Sequence, residues 1–269
     1  MHRAVERGMS RREGSERYYH LSIDEKAVHK GHDYISVLSD EATGVVIDVV
    51  EGRKKESVDK LCQNSLTASQ RAEVKTICTD MWDAFIYGAT KYFPNALHCH
   101  DNYHLVSYLN GAVDKVRRRE VKTQEELKKT KYIFLKDKLN LTEKQRIKFE
   151  SISKGNYEVS RAWKIKEDFR DIQFRQEKAE AFIIYALWRE RALDARIKEI
   201  TEVVEMFERH SNGIINAIHT GSNNARAERI NGSIQELKTI GRGYRKTENF
   251  RTAILFFHGN LKLFSQESQ

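Results

Sequence analysis

From Tyr18 onward, apolar and polar positions alternate with a period of two. In "YYHLSIDEK", Tyr19, Leu21 and Ile23 fall on one side while His20, Ser22 and Asp24 fall on the other, which predicts a β-strand. "YISVLSDEATGVVIDVVEG" predicts two more strands joined across "DEATG" as a hairpin connection, so three antiparallel strands follow one another. In "KESVDKLCQN" the spacing lengthens, setting Val58, Leu61 and Cys62 at helical intervals. "KTICTD" then reads as a short strand ending on Asp80, "AFIYGATKYF" as a helix stopped by Pro94, and "ALHCHD" as a fifth strand. The predicted order is βββαβαβ, an α/β class with a mixed five-stranded sheet.

Between residues 113 and 219 the apolar spacing is helical almost throughout. Leu193, Ile197, Ile200, Val204 and Phe207 advance by alternating steps of four and three, as do Ala162, Ile165, Phe169 and Ile172. This predicts an all-helical insertion. "SNNARAERINGSIQELKTI" is one further helix, with Ser222 or Asn223 as N-cap candidates and Gly241 as its stop. The expected organisation is a connector helix over 1–17, the first part of a core over 18–112, the insertion over 113–219, and the rest of the core over 220–269.

Composition narrows the function classes. Of the 269 residues, 39% are hydrophobic and 32% charged, enough for a core beneath much solvated helix surface. No apolar run approaches the roughly 20 residues that span a bilayer, and "MHRAVERGMSRREGSERY" lacks the apolar stretch of a signal peptide, so no membrane partner and a cytoplasmic location are expected. The three cysteines, Cys62, Cys78 and Cys99, are scattered and odd in number, which argues against a disulfide framework. The net charge of +8 favours a polyanion, and the basic residues cluster in "GRKKE", "KVRRRE" and "GRGYRK".

Two acidic or metal-type constellations stand out. "ALHCHDNYHLV" packs His98, Cys99, His100, Asp101 and His104 into a short stretch, but a strand turns His98 and His100 one way and Cys99 and Asp101 the other. Convergence on one zinc ion would demand a sharp turn, so no zinc is expected. Asp24, Asp80 and Glu228 each have a defined address: the first strand, the end of the fourth, and the helix after the insertion. On that helix Asn224, Glu228, Asn231 and Gln235 form a polar stripe beside the apolar stripe of Ala227, Ile230, Ile234 and Leu237. Such carboxylates suit phosphodiester chemistry, in which two Mg²⁺ ions about 4 Å apart hold the attacking and leaving oxygens in line.

Three segments carry a family resemblance: "LSIDEKAVHKGHDYISVLSDEATGVVIDVVEGR", "CTDMWDAFIYGATKYFPNALHCHDNYHLVSYLNGAVDKVRR" and "NNARAERINGSIQELKTIGRGYRKTENFRTAILF". Together they resemble the ISL-three group of bacterial insertion-sequence transposases from about Ala4 to Phe257. The resemblance implies a ribonuclease-H-like core with a DDE metal triad, matching Asp24, Asp80 and Glu228, and two Mg²⁺ ions, with Mn²⁺ as a substitute. It implies strand cleavage and strand transfer on element ends and target DNA, a homodimer pairing two ends, and nucleoid association when bound. "HDNYHLV" is then the end of the fifth strand, with Asp101, His104 and Asn231 as supporting residues around the metals. Lys26, Lys30, Arg53, Lys54, Arg117, Arg118, Arg242, Tyr244, Arg245 and Arg251 are the candidate DNA contacts, with His29 near them. Members usually carry an N-terminal zinc-binding module and helix-turn-helix; the chain is expected to begin at the catalytic domain. The alternative is a catalytically silent remnant that binds DNA or pairs with a full-length transposase. Trp82, Trp163 and Trp188 are expected in cores, with Trp188 as a possible stacking side chain for a flipped base.

Overall fold

A computed structural model describes residues 1–12, 16–28, 33–222 and 225–263, and for Lys138 and residues 225–228 the backbone alone. The chain divides into two compact units, 1–101 with 222–269, and 102–221.

The first unit opens with helix α1 (His2–Arg12) and continues through β1 (His20–Ala27), β2 (Tyr34–Asp40) and β3 (Val46–Glu51). Helices α2 (Lys55–Ser65) and α3 (Ala68–Glu73) lead to β4 (Thr76–Thr79), α4 (Asp83–Tyr92) and β5 (Leu97–His100). The strands form a mixed sheet in the order β3-β2-β1-β4-β5. The β2–β1 and β3–β2 pairs are antiparallel, whereas β4 pairs parallel to both β1 and β5. The "DEATG" turn closes where Asp40 Oδ2 accepts from the Thr43 amide at 2.9 Å and its hydroxyl at 2.5 Å, and Gly44 takes φ +78°. An aspartate opening a turn and a glycine in the left-handed region are the local chemistry such a connection needs. Helix α3, which the apolar spacing did not mark, starts on a Thr67–Gln70 capping box.

Strand alternation gives the sheet two apolar faces. Leu21, Ile23 and Leu38 pack with Val58, Leu61, Phe85 and Ala89 of α2 and α4. On the other face Ile35, Val37 and Val49 pack with Val5 of α1 and with residues of the two helices that close the chain, α12 (Ala225–Ile240) and α13 (Thr247–His258): Ile230, Ile234, Phe250 and Ile254. Each such side chain contributes about 1.5–3 kcal/mol by leaving water. Arg251 of α13 ties this layer to β3, its guanidinium reaching Asp48 Oδ1 at 2.6 Å and the Val49 carbonyl at 3.0 Å. The apolar stripe read for α12 lies against the sheet at Ile230 and Ile234; Asn223, Asn224 and the side chain of Ala227 lie outside the described residues. Ser222 donates to Glu41 Oε2 at 2.7 Å.

The second unit is helical: α5 (Asn102–Glu120), α6 (Lys131–Leu135), α7 (Glu143–Ser153), α8 (Glu158–Arg170), α9 (Lys178–Asp194), α10 (Lys198–Arg209) and α11 (Ser211–Thr220). The Glu120 carboxylate accepts from the Glu158 and Val159 amides at 2.9 and 2.8 Å, satisfying orphan donors at the start of α8. Trp188 is fully buried against Phe169 and Phe207 and donates to the Ile165 carbonyl at 3.0 Å. Its indole is core structure, which removes it as a base-stacking candidate. The continuous spacing read from Leu193 to Phe207 is broken: α9 ends at Asp194, Arg196 takes φ +52°, and α10 begins at Lys198. Likewise "HDNYHLV" is not strand: β5 stops at His100, and Tyr103 and His104 lie in the first turn of α5. Among the described residues no helix is long and apolar enough to cross a membrane.

Candidate active site

The parallel pairing of β1 with β4 sets Ile23 opposite Thr79, and that of β4 with β5 sets Thr79 opposite His100. The next residue along each chain segment is an aspartate. Asp80 and Asp101 therefore follow the carboxyl ends of β4 and β5 at the level of Asp24 within β1, on the edge where α/β sheets commonly bind ligands. The Asp101 amide donates to the Thr79 carbonyl at 3.0 Å, continuing the ladder by one step.

Asp24 is only 8% exposed and is held on both oxygens: Oδ1 accepts from the Glu25 amide at 2.7 Å and Oδ2 from the Asn231 side-chain amide at 2.6 Å. Asp80 Oδ1 accepts from the Met81 amide at 2.6 Å. These contacts orient both carboxylates, whose oxygens are hard donors of the kind a divalent cation takes. Asn231 brings α12 onto β1, and residue 228 lies three positions earlier in the same helix. The Glu228 side chain lies outside the described residues.

Behind this row, His98 Nε2 meets Thr79 Oγ1 at 2.8 Å, and the His98 and His100 rings stand edge to face at 4.7 Å. Cys99 is buried, as is Cys78, whose thiol is pushed well above the usual range by burial first and by the Asp101 carboxylate second. Among the described residues no group of three His, Cys, Asp or Glu side chains is arranged to hold a metal ion. Two aspartates offering hard oxygens fit a divalent cation of the magnesium type better than zinc.

The candidate DNA contacts are scattered. Lys26 lies on β1, Lys54 precedes α2 and is exposed, and Lys30 and His29 lie outside the described residues. Arg53 grips Glu25 with Nη1 at 2.8 and 2.9 Å and lies over the rings of Tyr34 and Trp82. In the helical unit, Arg117 and Arg118 both pair with Asp114, and the His104 ring meets Tyr103 at 5.7 Å. After α12, Arg242 and Arg245 are exposed, Tyr244 stacks on Phe250 at 4.8 Å, and Arg251 is committed to Asp48. Trp82, expected in a core, is 42% exposed. Its indole, with Glu25 and Tyr34, forms a cluster around Arg53 that was missed; the one signal in the sequence was a tryptophan two residues after Asp80.

A transposase family profile of the ISL-three DDE type matches residues 21–254. The chain belongs to that transposase family. The transposase for insertion sequence element IS1001 of Bordetella parapertussis is 24% identical over 252 residues, covering 90% of this chain and 62% of the relative. The transposase for insertion sequence element IS1557 of Mycobacterium tuberculosis is 25% identical over 256 residues, covering 85% and 57% respectively. The chain thus spans about 60% of the length of these curated transposases.

Proposed function

We propose that this chain carries the catalytic core of an insertion-sequence transposase with a ribonuclease-H-like fold, cutting DNA at element ends and joining the freed strand to target DNA. The observation that carries the reading is the pair of aspartates at one level of the adjacent parallel strands β1 and β4, with Asn231 of the glutamate helix bonded to one of them. The sheet order, three antiparallel strands continued by two parallel ones, is what such a fold requires, and family membership supports the chemistry.

Asp24, Asp80 and Glu228 would hold two Mg²⁺ ions, or Mn²⁺ in their place, and ions so held activate water and stabilise the oxygens of an in-line displacement. The protein's own part is preorganisation. The Glu25 and Met81 amides and the Asn231 carboxamide hold the aspartates at fixed rotamers, so that no reorganisation is required when a phosphodiester arrives. Asp101, one residue past β5 at the same level, stands on the neighbouring strand end beside the pair. Exposed Lys54, Arg242 and Arg245 are proposed to neutralise backbone phosphates without reading sequence. Pairing of two chains and nucleoid association belong to the same proposal.

Purified protein incubated with Mg²⁺ and a duplex bearing the element's terminal repeat is expected to nick or join strands. Asp24→Ala, Asp80→Ala and Glu228→Ala should each reduce this by at least about 10³-fold while retaining the circular dichroism of the parent. Activity undiminished in any of the three would reject the triad. DNA binding with no metal-dependent cleavage by the parent would favour the silent remnant.

A further inference from the structure

We infer that Arg53 is a positioning residue that fixes the spacing of Asp24 and Asp80 from the reverse face of the sheet, an inference that rests on the proposed metal site. Successive strand residues point to opposite faces, so Glu25 lies behind the carboxylate of Asp24. Its two oxygens take the same Arg53 nitrogen at 2.8 and 2.9 Å. The guanidinium lies 4.0 Å above the Tyr34 ring on β2 and 4.8 Å from that of Trp82, and the Trp82 indole N–H donates to the Arg53 carbonyl at 3.0 Å. Trp82 precedes α4 and stands two residues beyond Asp80. One arginine thus joins the immediate neighbour of Asp24 to the loop that presents Asp80.

The turn that holds Arg53 is itself pinned. Gly52 takes φ +85°, its amide donates to the Tyr34 carbonyl at 2.7 Å, and its carbonyl accepts from Ser36 Oγ at 2.8 Å. A Cβ at Gly52 would stand 2.6 Å from Ser57 Oγ. The side chains of Arg53 and Glu25 are 30% and 26% exposed, a setting in which an ion pair adds little to global stability. What the pair supplies is geometry: a two-ion site needs its carboxylates held to within about 0.5 Å, and supporting contacts of this kind tune metal affinity. Lysine has no planar guanidinium to lie over the Tyr34 ring while one of its nitrogens holds the carboxylate.

The test is Mn²⁺ titration of the full chain, following free Mn²⁺ by electron paramagnetic resonance, for the parent, Arg53→Ala, Arg53→Lys, Glu25→Gln and Trp82→Phe. Both Arg53 variants are expected to bind Mn²⁺ about 10-fold or more weakly with unchanged circular dichroism, and Glu25→Gln to weaken it in the same direction. Should Arg53→Ala fail to fold, Glu25→Gln and Trp82→Phe carry the test. Affinities within about two-fold of the parent in the folded variants overturn the inference. So does the signature of a direct phosphate contact: Mn²⁺ affinity unchanged while the salt dependence of DNA binding falls by about one phosphate. A parent that binds no Mn²⁺ instead removes the metal site itself.

Discussion

Individual side chains in this fold take their protonation from where the layers bury them. His258, in the last turn of α13, is held below the usual histidine range by burial. Its folded-state affinity for a proton is therefore lower than that of the unfolded chain, which takes up the proton first as pH falls through about 6.5. The stability tied to the neutral ring is complete above that pH and is lost as pH drops toward the depressed folded value. Urea midpoints should accordingly fall between pH 7.5 and pH 5.5, and His258→Gln should reduce that fall; an equal or larger fall in the variant would contradict the assignment. Cys62 behaves in the same spirit, its thiol pushed up to about 12 by burial between α2 and α4.

Elements meet where small residues let them. Helices α2 and α4 cross at Gly88, where an added Cβ would stand 2.3 Å from Val58 Cγ1. Valine is stiff about χ1 and cannot swing clear, so Gly88→Ala is expected to cost about 1–3 kcal/mol in urea unfolding at constant m. Adding Val58→Ala should recover part of that loss, and a double variant that sums the two single costs would show that the contact does not govern the packing. Legibility followed the same logic of local against tertiary causes. Strands β1 to β3 were readable because alternation and the "DEATG" turn chemistry agree. The start of α5 was not, because a four-residue strand carries too few positions to show where its period ends. The α9–α10 break was hidden since the apolar steps stay in phase across Arg196, whose left-handed backbone leaves no mark on the spacing. Trp82 was misplaced because exposure beside a guanidinium is a tertiary fact, one that no periodicity encodes.

Across the whole chain, residues widely separated in sequence are assembled by topology. The parallel β1–β4 pairing joins Asp24 to the level of Asp80, and the 102–221 unit intervenes in sequence before the chain returns as α12 to deliver Asn231. Asp24 on the first strand and Asp80 at the end of the fourth were legible from strand alternation, and the family resemblance set them apart from the other acidic residues. The hydrogen bond from Asn231, by contrast, needed the fold, because a polar stripe on a helix states which residues share a face but not what that face meets. A net charge of +8 matches a polyanionic partner without locating the contact. The central claim is that Asp24, Asp80 and Glu228 share divalent cations. Anomalous diffraction from Mn²⁺-soaked crystals tests it most directly: manganese peaks ligated by all three carboxylates are expected, and manganese bound elsewhere, or at the two aspartates with the Glu228 carboxyl directed away, would contradict it.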